Sequence, residues 1–248
     1  MNIDQVKKLA YELRLFGVYE ACESRAAEAA ASALPPLELL QLLLKDEQNQ
    51  RKSAQSKRLV SRAQFRYEAD LEDWDSSFDR GIAKARLKEL ATLGFYQRKD
   101  NMLIYGKTGE GKTQLAISVG RRLCRDGIPT AFFSTNLLLE EVQAERAAGN
   151  YLAFVRKLVK TNVLVLDDFG LRRYTHEEAT TMLDILEDRY RKGSIIVTSQ
   201  VDAKGWKTLF DDPVIAEAIV DRLANPSQVI TLKGGSYRER LGKKDLPN

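Results

Sequence analysis

Along the first eighteen positions, Ile3, Val6, Leu9, Ala10, Leu13, Leu15, Phe16 and Val18 recur mostly at intervals of three and four. That is the stripe of an amphipathic helix, and Gly17 predicts its end. An alanine-rich stretch over 26–33 and then Pro35-Pro36 lead into a second apolar series, Leu37, Leu39, Leu40, Leu42, Leu43 and Leu44. The prolines suit the start of another helix. After residue 100 the pattern changes. Short runs that are apolar along their whole length, 102–105, 130–133, 163–166 and 194–198, alternate with helical periods over 113–124, 137–149, 151–159 and 177–191. Strands without a polar face predict a parallel sheet covered by helices on both sides. A helix over 211–223, a strand-like 229–232 and a turn at Gly234-Gly235 close the pattern. The expected organisation is a helical domain over 1–68, a linker over 69–80 and an α/β domain over 81–248, entered through a helix at 81–93. Trp74 and Phe78, set among acids and serines, are expected to dock the linker onto the domain that follows.

Composition narrows the classes. The 248 residues are 44% hydrophobic and 30% charged, as in an ordinary globular chain, so global disorder and fibrous repeats are excluded. Cys22 and Cys124 stand far apart with no CxxC or His-linked spacing, which argues against a disulfide framework or zinc site. The single histidine, His176, reads as a surface residue. No apolar run of about 18 residues is present to span a bilayer, so a cytoplasmic protein without a membrane partner is expected. The net charge of +4 is mild, but it is unevenly placed. Arg51, Lys52, Lys57, Arg58, Arg62 and Arg66 form the densest basic stretch, with no acid before Glu68. Charge alone leaves a solvated helix face and phosphate contact equally open.

The chemistry concentrates in Gly106-Lys107-Thr108-Gly109-Glu110-Gly111-Lys112-Thr113, placed between a strand and a helix. A glycine-rich turn in that position aims backbone N–H groups and a helix N-terminus at phosphate oxygens. Lys112 is then expected to reach the β- and γ-phosphates of ATP, and Thr113 to ligate Mg2+. Some fifty residues on, the strand 163–166 runs into Asp167 and Asp168. Asp167 is expected to hold the magnesium and Asp168 to polarise the attacking water. The next strand ends in Thr198-Ser199-Gln200, whose polar side chains could order that water. Arg222 and Arg238 are candidates to stabilise charge on the γ-phosphate, one of them from a neighbouring subunit.

These motifs, with Phe169-Gly170 after the paired aspartates, the Asp221-Arg222-Leu223 box and the Ser236-Tyr237-Arg238 turn, resemble the AAA+ ATPases of the IstB/DnaC group. The resemblance covers nearly the whole chain, and the N-terminal part looks more like IstB, the insertion-sequence transposition helper. It implies a P-loop AAA+ domain, a three-layer α/β/α parallel sheet, with a small helical N-terminal domain. It further implies an ATPase that assembles as a homo-oligomer on duplex target DNA, deforms it and recruits or activates a transposase. Thr198 or Ser199 takes the sensor-1 position, Arg222 the arginine finger and Arg238 sensor 2. Gln200 stands where the family commonly has asparagine. The helical stretch over 136–158 resembles an initiator-type elaboration that faces DNA from inside an assembly. In that light the basic stretch from Arg51 to Arg66 is expected to contact DNA phosphates with little base selectivity. A DnaC-like helicase loader and a nucleotide-gated binding module with negligible turnover are the other readings.

Overall fold

The structure, a computed structural model, describes residues 2–237 and Glu239. The chain divides into two compact units, Met1–Arg58 and Leu59–Asn248.

The first unit holds α1 (Ile3–Glu12), α2 (Phe16–Ser32) and most of α3 (Pro36–Ala63). The expected single helix up to Gly17 is two, because Arg14 adopts a left-handed conformation and breaks it. Gly17 lies inside the first turn of α2 rather than at a helix end. It is needed there because a Cβ would sit 2.5 Å from the Cα of Glu47 on α3. The close approach lets the buried Glu47 cap α2, its Oε2 accepting from the N–H groups of Gly17 (2.7 Å) and Val18 (3.3 Å). Burial pushes the Glu47 carboxyl up, yet Arg51 and those two amides outweigh burial and hold it below the ordinary range.

In the second unit the strands are β1 (Asn101–Tyr105), β2 (Thr130–Ser134), β3 (Val163–Phe169), β4 (Ser194–Ser199) and β5 (Ser227–Thr231). All pair in parallel, in the order β2-β3-β4-β1-β5. The helices are α4 (Lys84–Ala91), α5 (Gly94–Gln97), α6 (Lys112–Arg125), α7 (Thr135–Ala147), α8 (Tyr151–Lys160), α9 (His176–Arg189), α10 (Ala203–Trp206) and α11 (Pro213–Ala224). Successive strand residues feed opposite layers: Met102 and Ile104 bury against Leu87, Leu90 and Leu115, while Leu103 faces Ile219 and Leu223. The result is the three-layer α/β/α arrangement expected from strands apolar on both faces.

The division between the units falls within α3, ten residues before the expected boundary at 68. Leu59 and Ala63 already bury against Cys124, and Phe65 lies on Gly120 and Phe132 of the α/β layer. The stretch expected as a linker belongs to the core as well. Ala69, Leu71 and Trp74 are buried with Leu115 and Val119. Asp70 accepts from Arg121 Nε at 2.9 Å and pairs with Arg125, so its acids close onto the basic end of α6. The helix expected over 81–93 begins only at Lys84. Cys22 and Cys124 are free and buried, and His176 is an exposed first-turn residue of α9.

Of the two helices in the 136–158 stretch, α7 packs on β2 and β3 and buries Leu138, Leu139 and Val142, whereas α8 packs on α7 and α9 and buries Phe154, Val155 and Leu158 in the same core. Among the described residues no helix is long and apolar enough to cross a membrane.

Candidate nucleotide site

At the carboxyl ends of β1, β3 and β4 lies a cavity of about 380 Å³. The turn after β1 forms its floor. Gly109 and Gly111 take φ of +86° and +95°, which L side chains adopt only with strain, and Gly111 delivers the chain into α6. A Cβ at Gly109 would run into Ser236, and Tyr237 N donates to Gly109 O at 2.9 Å, so the 234–237 turn closes over the loop. Lys112 is buried, with Nζ donating to Lys107 O at 2.9 Å. Glu110 turns its buried carboxylate back onto the loop and accepts from Lys107 N at 2.6 Å. Thr108 Oγ1 donates to Gln200 Oε1 at 3.0 Å, linking the loop to the end of β4.

The two aspartates are separated by backbone geometry. Pairing of β3 with β4 slips between Leu166 and Phe169, and Asp168 in the slip has a left-handed φ of +59°. Asp167 therefore points inward with no exposed surface, whereas Asp168 lines the cavity. Asp167 Oδ1 accepts from Thr113 Oγ1 (2.9 Å) and Thr198 Oγ1 (2.6 Å). Thr198 Oγ1 in turn accepts from Asp168 N at 2.9 Å, so one hydroxyl fixes both acids. Thr135 Oγ1 donates to Asp167 O at 2.9 Å and holds the strand end from α7. Among the described residues Asp167 Oδ2 is buried without a hydrogen-bond donor, and the Arg66 guanidinium approaches it at 3.3 Å. Burial pushes the Asp167 carboxyl above its usual range, and the neighbouring Asp168 adds to this, against Thr198, Thr113 and Arg66.

An orphaned carboxylate oxygen beside a threonine hydroxyl fits a hard divalent cation that takes its remaining ligands from phosphates and water. Among the described residues no group of three His, Cys, Asp or Glu side chains could hold a metal.

Ser199 does not join this group. Alternation along β4 turns it to the other face, where its hydroxyl donates to Phe169 O (2.7 Å) and accepts from Trp206 Nε1 (3.0 Å) and Val201 N (3.1 Å). Of the two hydroxyls, that of Thr198 faces the paired aspartates. Arg222 lies near the amino end of β1, where Asn101 Nδ2 donates to its carbonyl at 2.9 Å. That is a strand's length from the loop, roughly 13 Å at about 3.3 Å per residue. Its guanidinium pairs with Glu187 (2.9 Å) and Asp221 (2.8 Å) and lies 4.7 Å from the Tyr190 ring centre. Arg238 falls outside the described residues.

Arg66, grouped in the sequence with the cations expected to contact DNA, lines the cavity. The reason is local: α3 stops at Ala63, and Gln64 with φ of +57° turns the chain toward β3. Arg51, Lys52, Lys57, Arg58 and Arg62 stay on α3 and are exposed. Arg80 is inconspicuous in the sequence. It is buried, with its guanidinium 3.4 Å from the Trp74 ring centre and 4.3 Å from that of Tyr237, and Nη1 donates to Gln114 Oε1 at 2.8 Å. The available signal was an arginine between an aromatic-rich segment and a glycine, Asp79-Arg80-Gly81.

Strand order, glycine loop and paired aspartates define a P-loop nucleotide-binding protein of the AAA+ type. Comparison with known proteins gives the particular family. Residues 8–245 match the family model described as IstB-like ATP binding protein, and the chain belongs to that family. It is 33% identical over 229 residues to an insertion-sequence ATP-binding protein of Mycobacterium tuberculosis, covering 92% of this chain and 91% of the relative. It is 32% identical over 222 residues to the ATP-binding protein of insertion sequence IS21 from Pseudomonas aeruginosa, covering 90% and 84%. Among solved structures the DnaC helicase loader superposes with a TM-score of 0.55 at 23% identity, over 66% of this chain and 97% of that one. DnaI superposes with a TM-score of 0.58 at 18% identity, over 71% and 94%. Those two likenesses speak to the fold.

Proposed function

We propose that this ATP-binding protein is a Mg2+-dependent ATPase that assembles on duplex DNA and, in the bound state, serves a transposase. The observation that carries hydrolysis is the Asp167–Asp168 step: one acid buried on Thr113 and Thr198, the other turned into the cavity by a left-handed residue. Asp167 Oδ2 and Thr113 Oγ1 would hold Mg2+, which neutralises phosphate charge when bound. Lys112 orients the β- and γ-phosphates. Asp168 orients and deprotonates the attacking water, and Thr198 holds the Asp167 carboxylate and the Asp168 backbone in place.

Assembly is supported by Arg222, which among the described contacts faces acids and an aromatic ring away from its own pocket, as a residue serving a neighbour's site would. DNA contact is supported by the exposed cations of α3 and by the names of the relatives, which place them in insertion sequences. Backbone phosphates are the natural partner of such a run, with affinity falling steeply as salt rises.

The decisive experiment sediments the protein with duplex DNA in ATP, in ADP and without nucleotide, then repeats it with the transposase of the same insertion sequence. The reading expects large DNA-bound assemblies in ATP that retain the transposase. Capture of a replicative helicase in place of the transposase would favour the loader reading. Mixing Lys112→Ala with Arg222→Ala subunits should restore part of the ATPase activity, and no recovery in mixtures that still assemble would remove Arg222 from the finger role.

A further inference from the structure

We propose that Arg66 is a cis-acting reader of the terminal phosphate: it neutralises the Asp167–Asp168 pair when no nucleotide is bound and moves onto the γ-phosphate when Mg2+-ATP occupies the pocket. The inference rests on the nucleotide-site reading above.

Three observations carry it. Nη1 of Arg66 stands 3.3 Å from Asp167 Oδ2 and 3.7 Å from Asp168 Oδ2, and so occupies the side of the carboxylate that a divalent cation would take. A guanidinium and a dication cannot share one oxygen at that range, since like charges a few ångströms apart inside a protein repel strongly. The arrival of Mg2+ therefore expels Arg66 from the acids. Next, the side chain can move while its backbone cannot. It is 43% exposed, whereas Phe65 beside it is fixed on Gly120, where a Cβ would meet the ring at 2.7 Å, and on Phe132. The swing is thereby confined to the cavity that Arg66 shares with Thr108, Lys112 and Asp168. Finally, a guanidinium released beside a triphosphate finds the partner its planar donors suit best, and ADP offers no γ-phosphate to receive it. Phosphate count is thus read by a residue just past the end of α3 at Ala63.

The test titrates fluorescent ATP and ADP analogues, with Mg2+, into the full chain and its Arg66→Ala and Arg66→Lys variants. Melting temperatures are followed in parallel with Mg2+ alone. Arg66→Ala is expected to lower the preference for ATP over ADP about tenfold, ~1.4 kcal/mol, through weaker ATP binding at nearly unchanged ADP affinity. Arg66→Lys should keep part of the preference. Without nucleotide, Mg2+ should raise the melting temperature of Arg66→Ala, whose carboxylates have lost their counter-ion, and leave the wild type unmoved; Asp167→Asn in the Arg66→Ala background should cancel the rise. An unchanged ATP-to-ADP ratio in Arg66→Ala, or the same Mg2+ response in both proteins, overturns the inference while the nucleotide site stands. Failure of the wild type to bind either nucleotide brings down the site and the inference together.

Discussion

Thr198→Val removes one hydroxyl and keeps the branched shape, so its cost can be worked from the contacts that vanish. The hydroxyl donates to Asp167 Oδ1 at 2.6 Å and accepts from Asp168 N at 2.9 Å, at a position with no exposed surface. A hydrogen bond to a buried charge contributes about 1.5–3 kcal/mol, and an amide left without its acceptor costs about 1 kcal/mol more. Some of this is recovered because Asp167, already pushed upward by burial, protonates more readily once Thr198 no longer donates to it. A net loss of about 3 kcal/mol follows. Urea denaturation of the nucleotide-free protein at neutral pH, with and without the substitution, reads it directly. ATP turnover is expected to fall about a hundredfold as the two acids lose their common anchor, with ATP affinity changed far less. Stability within about 0.5 kcal/mol of wild type, on the order of the noise for surface changes, together with unchanged turnover would refute the claim that Thr198 anchors the Asp167 carboxylate and the Asp168 backbone.

Two further outcomes test the scaffold that carries the site. Glu178 caps α9 with Thr175 and pairs with Arg172 at 2.7 Å, and that arginine is the main reason its carboxyl lies below the ordinary value of 4.5. A depressed folded value stabilises above the unfolded one and is lost as pH falls through it. Glu178→Gln should therefore cost about 1 kcal/mol at pH 7, reduced by the exposure of Arg172, and the gap to wild type should close in melts below about pH 4.5. Arg189 is a buried cation with no acid beside it among the described residues, its guanidinium donating to the carbonyls of Leu158, Thr161 and Ser194, and burial pushes it down to about 10. Those carbonyls close α8 and open β4, so Arg189→Met should lower stability by about 3 kcal/mol in urea titration.

The architecture was legible because its strands, such as 163–166, are apolar on both faces, a pattern that admits a parallel sheet and little else. The nucleotide loop was legible for a related reason: only glycine reaches the φ of Gly109 and Gly111 without strain. What stayed hidden depends on contacts between distant segments. Gly17 reads as a helix end until the Glu47 backbone is found against it. Arg66 reads as one more cation in a basic run until the left-handed Gln64 turns it onto Asp167. Thr198 and Ser199 are adjacent hydroxyls, and only the strand register says which one faces the acids. The acidic stretch after Glu68 looked like a linker because its partners, Arg121 and Arg125, lie some fifty residues away.

Central to the account is that the loop ending in Lys112 and Thr113 binds ATP and that Asp168 drives its hydrolysis. Equilibrium ATP binding and phosphate release, measured side by side on wild type, Lys112→Ala and Asp168→Asn, test this most directly. Lys112→Ala is expected to lose measurable binding, and Asp168→Asn to bind ATP within a few-fold of wild type but release phosphate at least about a hundredfold more slowly. Wild-type phosphate release by Asp168→Asn, or undiminished ATP binding by Lys112→Ala, would contradict it.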